Sequence, residues 1–341
     1  MNLKQLSDIL GLSQTTVSRA LNGYPEVNTE TRQRVEHAAR EHNYRPNTRA
    51  RGLAIGRSMA IGHIIPQATS HEAVNPVFGD FIGGAGEIYA KNNYDMLISF
   101  VGDRDEVETY KNMAAKGSVD GIIIHGPKVE EPRIPLIRDL GLPFVVHGRA
   151  GPSAPDYTWV DVNNKRAFER ATDLLIQLGH TRIAFLNGDE QLGFAARRRQ
   201  GYETSLAKAG IAPLPHLMFS KEMSEFYGYR TTQDLLDHAQ PPTAFLTSSI
   251  VIAAGVRRAV LDRGLHMGTD ISIITHDDDL SYMPNGDHVP VFTATQSSVR
   301  QAGRDAARML LNKIEAPDTP LDNHMLEAQL VIGQSTGPAP D

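Results

Sequence analysis

The sequence predicts an α/β protein in two parts: an N-terminal helix-turn-helix headpiece, then a two-lobed core of parallel sheets flanked by helices. Three observations carry this. The chain opens on short amphipathic helices joined by a glycine turn. From about residue 59, short apolar strands alternate with helical segments, the pattern of parallel sheets covered on both faces. That alternation fills about 280 residues, too many for one compact sheet, so two similar lobes share it.

In the first element, LKQLSDIL, Leu3, Leu6 and Leu10 share one helical face with Ile9 beside them. Gly11 permits a tight turn, and Ser13 is a good N-cap for the next helix. That helix, within LSQTTVSRALNG, is rich in hydrogen-bonding side chains, carries a positive charge at Arg19 and has no carboxylate. Only Val17, Ala20 and Leu21 serve as its inner contacts. Such a face suits a partner that is negative and hydrogen-bonds along its edge. Two short helices with a Gly turn form a helix-turn-helix, whose second helix enters the DNA major groove N-terminus first. Gln14 and Thr15 are therefore expected at base edges, with Arg19 one turn further on, and Asn22, Asn28 and Thr31 at phosphates. Tyr44, Asn47 and Ala50 complete the expected DNA-binding set. A third helix, capped by Asn28 or Thr29, turns Val35, Ala38 and Ala39 inward. The alternative for this stretch is a three-helix core with no nucleic-acid partner.

Charge supports the first reading. The net charge is −6, but residues 1–57 hold nine Lys and Arg against five Asp and Glu, a net of +4. The remainder holds 25 against 35, a net of −10. A basic head on an acidic body suits DNA binding by the head alone. Between them lies RPNTRARGLAIGRS. Pro46 pushes Arg45 from helical angles, and Asn47 can cap a short helix at about 48–54 with Ala50 and Leu53 on one face. That helix is too short to be stable alone and contains Gly52, so it needs a partner to order it.

The body reads as strand MAIGHIIP, helix FIGGAGEIYAKNN, strand DMLISF, then strands GIIIHG and FVVHG with helices between. AFERATDLLIQLG leads into TRIAFLNG, and AFLTS and DISIITHDD follow. The glycines of GGAG lie inside a predicted helix, which makes a poor phosphate loop. The chain has no Cys, no G-x-S-x-G elbow, no P-loop and no HExxH, so no enzyme is expected, and no cofactor. No run approaches the roughly 20 apolar residues of a membrane span, and the N-terminus lacks a signal-peptide core, so the cytoplasm is the expected location.

The stretches VSRALNG, VNTETRQRVEHAAREHNYRPN and LGHTRIAFL resemble the lactose/galactose repressor family of bacterial transcription regulators. The resemblance covers essentially the whole chain. It departs from the common headpiece at Ser7 and Leu10, where Ala is usual, and both positions are expected inside. It implies a headpiece at 1–46, a hinge helix at 47–57 and a core at 58–341 that resembles a periplasmic sugar-binding protein and dimerises. Three crossovers are expected near 158–163, 289–293 and 320–324. The N-lobe is then about 58–160 and 292–321, the C-lobe about 161–291 and 322–337. In the family the hinge orders over DNA and wedges a Leu into the minor groove, and Leu53 holds that place here.

Ligands of parallel α/β sheets sit at the carboxyl ends of strands. The resemblance puts an effector-binding arginine at Arg198, three residues before Gly201, and a carboxylate at Asp277. A guanidinium fork and a carboxylate can hold sugar hydroxyls from opposite sides. In NPVF, Phe78 is expected to face the cleft. His147 and Arg149 end a strand, and Trp159, the single Trp, is a candidate for stacking on a sugar ring. Ser249 and Ser297 stand where relatives carry larger amides, which leaves room for a disaccharide or glucoside. Three adjacent Asp on one loop cannot all turn to one ion, so no metal is expected.

These residues imply a repressor of sugar-uptake or catabolic genes. It would bind a near-palindromic double-stranded operator as a homodimer and be released by a small saccharide. Alternatives are a regulator whose ligand strengthens DNA binding and a sugar-binding protein without a regulatory role. The Pro- and Gly-rich tail GQSTGPAPD is expected to fray.

Overall fold

The computed structural model describes residues 1–44, 56–66, 75–102, 105–151 and 156–340. It divides into two compact units, 1–59 and 60–341.

In the first unit, α1 (Leu3–Leu10) starts in a reciprocal capping box between Asn2 and Gln5 and ends at Gly11, whose φ of 64° lies in the left-handed region that glycine tolerates. Ser13 caps α2 (Gln14–Leu21), and Asn28 caps α3 (Thr29–Glu41). Leu6, Leu10, Val17, Ala20, Val35, Ala38 and Ala39 form the core. Ser7 is buried with its hydroxyl donating to the Lys4 carbonyl, and Leu10 is buried too, so the two departures lie inside as expected. Ile9 is exposed. The Arg34 side chain donates to the Leu10 carbonyl, tying α3 to the turn after α1.

The second unit contains two sheets. The first has the order β11-β5-β4-β3-β1-β2, with β1 Ala60–Pro66, β2 Asp95–Val101, β3 Gly121–His125, β4 Phe144–His147, β5 Trp159–Val162 and β11 Asn323–Leu326. All its pairings are parallel. The second has the order β12-β10-β9-β8-β6-β7, with β6 Ile183–Asn187, β7 Met218–Ser220, β8 Ala244–Thr247, β9 Ser272–Asp277, β10 Thr293–Gln296 and β12 Gln329–Val331. Only β12 runs antiparallel to its neighbour, β10. Every residue of the central strands β3, β6, β8 and β9 is buried, as strands covered on both faces require.

On the first sheet, α4 (Pro76–Lys91) packs against α11 (Val299–Glu315). A Cβ on Gly84 would stand 2.0 Å from the Arg300 carbonyl oxygen, and one on Gly303 would stand 2.2 Å from that of Phe81. The glycines of GGAG thus permit close helix packing. On the second sheet α7 (Asn164–Gln177) packs on α8 (Gly193–Lys208), and α9 (Glu225–Leu236) on α10 (Ile250–Asp262). No described helix is long and apolar enough to cross a membrane.

Sheet membership corrects two expected crossovers. The chain does cross after β5, near 158–163. It crosses next after Gln296, because β10 pairs with β9, and last between Leu326 and Gln329, because β11 pairs with β5. The N-lobe therefore ends with 299–326, where 292–321 was expected. A four-residue strand such as TATQ carries no sign of which sheet it joins. The tail is also corrected. Ser335 is fully buried, donates to the Ile273 carbonyl and accepts from the Thr293 amide, and Gly337 accepts from Ser272. These bonds dock a segment whose Pro and Gly content suggested fraying.

Candidate functional site

Within the first unit, the Ser13 hydroxyl accepts from the Thr16 amide at 3.1 Å, which starts α2 and fixes its exit from the Gly11 turn. Val17 and Ala20 then face the core, and the same turns leave Gln14, Thr15 and Arg19 exposed on the opposite side. The three expected base readers are brought to one face by burial of the other. The expected phosphate contacts are partly committed elsewhere. The Asn22 amide donates to the Ser18 carbonyl at 2.9 Å, and Asn28 Oδ1 accepts from the Thr31 amide at 2.7 Å. Both side chains close helix ends, and Thr31 is half-buried. Tyr44 packs half-buried on the headpiece core, and burial raises its hydroxyl's pKa. Asn47, Ala50 and Leu53 lie outside the described residues.

The second unit gathers polar side chains at the carboxyl ends of its strands. Arg198, on α8, is 5% exposed. Its Nε donates to Asn164 Oδ1 at 2.8 Å and its Nη1 to the Ser248 carbonyl at 2.5 Å. The guanidinium lies over Phe168 and Phe194, 5.2 and 4.8 Å from their ring centroids. Burial lowers its pKa to about 10, opposed by Asp278 and Asp161, so it stays charged at neutral pH.

Asp277 ends β9, and each of its oxygens already accepts one hydrogen bond. One accepts from the Asp279 amide at 2.9 Å, the other from Gln296 Nε2 at 3.0 Å, and burial raises its pKa. Asp278 lies 3.4 Å from His276 Nε2; burial pushes its pKa up, but His276, Arg198 and His147 together hold it below the ordinary value. His147 belongs to the other lobe, at the end of β4, with its ring stacked on Phe81 at 4.3 Å. Burial lowers its pKa to about 4, with Asp278 opposing. Phe78 stands beside this wall, edge-on to His125 at 5.4 Å.

The remaining expected residues are placed differently. Trp159 is buried in the first lobe's core with Ile124, Val146 and Tyr157, and the Arg149 guanidinium covers its ring at 4.8 Å. It offers no open face to a sugar. Arg149 is itself paired with Asp161 at 2.8 Å. Ser249 caps α10 by accepting from the Val251 amide, and Ser297 Oγ lies 3.4 Å from His276 Nε2. Both are buried supports of the site. Sequence reasoning missed Asp278, Gln296, Asn164 and Asp161. Of these only Asp278 carried a signal, as the middle residue of the DDD run.

The lobes also meet beside this site. Arg197, next to Arg198, donates to the Arg149 and Gly151 carbonyls, and the Gly193 and Val129 amides donate to the Pro127 and Gln191 carbonyls. On α4, Asp80 accepts from the Ser281 amide and hydroxyl at 2.9 and 2.7 Å. A hollow of about 540 Å³ lined by Arg182, Pro241, Arg263 and Leu265 lies at the amino ends of the strands, the wrong end for this architecture. Among the described residues no cluster of His, Asp and Glu is arranged to hold a metal ion.

Comparison with known proteins returns two family models. Residues 4–47 match bacterial regulatory proteins of the lacI family, and 172–336 match a periplasmic binding protein-like domain. The chain is 45% identical over 342 aligned residues to the HTH-type transcriptional regulator AglR of Rhizobium meliloti (strain 1021), covering 100% of this chain and 96% of that one. In fold it is similar to a transcriptional regulator CelR–cellobiose complex, with TM-score 0.72, 24% identity and 98% and 99% of the two chains covered. It is likewise similar to a lac repressor dimer bound to operator and the anti-inducer ONPF, with TM-score 0.79, 24% identity and 99% of each chain covered.

Proposed function

This chain belongs to the lacI family of bacterial regulatory proteins, and from that premise we propose that it is a repressor of sugar-uptake or catabolic genes released from DNA by a small saccharide. The chain is a DNA-binding transcriptional regulator and not an enzyme. The protein acts as a homodimer in the cytoplasm. Its operator is near-palindromic, because two recognition helices related by a two-fold axis read two half-sites. Gln14, Thr15 and Arg19 read base edges, and Leu53 enters the minor groove at a flexible central step. The effector is a disaccharide or glucoside; a fold relative is described in complex with cellobiose.

One observation carries the effector site. A charged, buried Arg198 stands at the carboxyl ends of one sheet with Asp278, which lies 3.4 Å from His276 Nε2, and His147 from the other lobe is near enough to Asp278 for the two to act on each other's charge. An arginine fork, a carboxylate and an imidazole from opposed walls can grip several sugar hydroxyls at once. Asp277 and Gln296 brace the loop that presents Asp278. A ligand that bridges the lobes favours the arrangement it fits, and it weakens operator binding only as far as it prefers the DNA-free state.

The test is a thermal-shift screen of the full chain against maltose, cellobiose, melibiose, sucrose and trehalose, followed by operator titration with any sugar that raises the melting temperature. Induction predicts operator binding weakened roughly 5–150-fold. Tighter operator binding in the presence of sugar would identify co-repression. Arg198→Ala should abolish the thermal shift while sugar-free operator binding persists. A shift that survives in that variant would place the pocket elsewhere.

A further inference from the structure

The first crossover carries a line of hydrogen bonds from one lobe to the other. Arg149 Nε donates to Asp161 Oδ2 at 2.8 Å. Asn164 Nδ2 donates to Asp161 Oδ1 at 3.3 Å and to the Val162 carbonyl at 3.0 Å. Arg198 Nε then donates to Asn164 Oδ1 at 2.8 Å. Asp161 lies on β5 of the first sheet; Asn164, three residues on, opens α7 of the second lobe. Asp161, Asn164 and Arg198 are 5%, 2% and 5% exposed, so water does not substitute for these partners.

The chemistry allows one orientation of the amide. Its NH2 group faces two acceptors, a carboxylate and a backbone carbonyl, and its oxygen faces a guanidinium N–H. A flipped amide would set oxygen against oxygen at one end and N–H against N–H at the other. Because a carboxylate stands at one end and a guanidinium at the other, both bonds are charge-assisted and directional. They fix Arg198 through Nε, and the Ser248 carbonyl fixes Nη1. Among the described residues no acceptor takes Nη2. The guanidinium is held on two nitrogens and presents the third.

We propose that Asp161 and Asn164 are positioning residues that aim Arg198 at the effector, so that an acid of the N-lobe sets the geometry of the C-lobe's effector-binding arginine. The proposal rests on the reading of Arg198 as an effector ligand. Since the relay spans the crossover, a movement of one lobe against the other alters the Asp161–Asn164 contact. Effector affinity and lobe geometry are thereby linked through one amide.

The experiment uses the full-length protein and reads Arg198 directly. Its Nε–H resonance is assigned by ¹⁵N NMR through loss in Arg198→Lys, then followed in Asp161→Asn, which keeps the shape and removes the charge. The proposal expects that resonance to shift and its exchange with water to quicken about tenfold. It expects affinity for whichever of maltose, cellobiose, melibiose, sucrose and trehalose binds to fall about tenfold, the scale of one lost charge-assisted hydrogen bond. In the Arg198→Lys background, Asp161→Asn should cause no further loss, because lysine has no Nε–H for the relay to hold. A loss that persists in that background marks a merely structural role and overturns the proposal, as does an unchanged Arg198 Nε–H. Asn164→Ala, read in the same way, decides the matter if Asp161→Asn does not fold. If none of the five sugars binds the wild type, the effector reading fails, while the Nε–H comparison still decides the relay.

Discussion

His63 makes the stability of the core depend on pH in a defined window. Its ring is fully buried in the first sheet, with Nδ1 3.0 Å from His125 Nε2 and Nε2 3.1 Å from the Tyr89 hydroxyl. Burial lowers its pKa from 6.5 to about 3. The folded state therefore keeps it neutral, whereas the unfolded chain takes up a proton as pH falls through about 6.5. The contribution is fully present above 6.5 and is lost progressively between there and about 3. At pH 5 the unfolded state gains about 1.4 kcal/mol for each of roughly one and a half pH units, or about 2 kcal/mol from this side chain alone. Against a typical stability of about 5–15 kcal/mol that is a measurable fraction. His125 and His147 act in the same direction, so the wild type should lose more than His63 alone removes. The assay is urea unfolding by circular dichroism at pH 7.5 and 5.0, for wild type and His63→Gln. Glutamine can bond with Tyr89 and His125 but does not titrate. The loss between the two pH values should be smaller in the variant by about 2 kcal/mol. Equal losses would mean that His63 is protonated in the fold, and the reasoning from burial would be wrong.

Three further outcomes are expected. Arg19→Ala should cost about 1–3 kcal/mol of operator affinity but much less of non-specific affinity, measured by anisotropy on a selected operator and a scrambled duplex; equal losses would make Arg19 a phosphate contact. Gly84→Ala should destabilise the core by at least about 1–3 kcal/mol in urea unfolding, since the new Cβ meets the Arg300 carbonyl at 2.0 Å and the helices must separate; an unchanged midpoint would refute the packing role of the glycine. Ser335→Ala should cost about 1–3 kcal/mol by leaving the buried Thr293 amide without its acceptor, and native-state hydrogen exchange should show that amide less protected; unaltered protection would return the tail to the frayed state its composition suggested.

The headpiece was legible in the sequence because its determinants are local. A capping serine, a glycine in the left-handed region and apolar residues at helical spacing decide which face of α2 is buried, and hence that Gln14, Thr15 and Arg19 share the other. The same holds for the buried central strands, whose apolar runs require cover on both sides. Arg198 was found through the resemblance of its neighbourhood to a family. Its partners Asn164 and Ser248 were not, since a hydrogen bond across 34 or 50 residues leaves no periodic trace.

Trp159 shows the limit most clearly. As the single Trp near a crossover it read as a stacking platform, yet the fold lays Arg149 across its ring and closes it off. The choice between Asp277 and Asp278 is of the same kind. Both stand in one acidic run, but only the fold brings Gln296 and the Asp279 amide to the first and leaves the second facing His276, Arg198 and His147. The sequence by itself determined the elements, their order and the chemistry available at the strand ends, because propensity, capping and hydrophobic period act over a few residues. Which of those groups are spent on one another and which remain for a ligand was decided by tertiary structure alone, because hydrogen bonds and charge interactions depend on distances between segments that the chain brings together only when it folds.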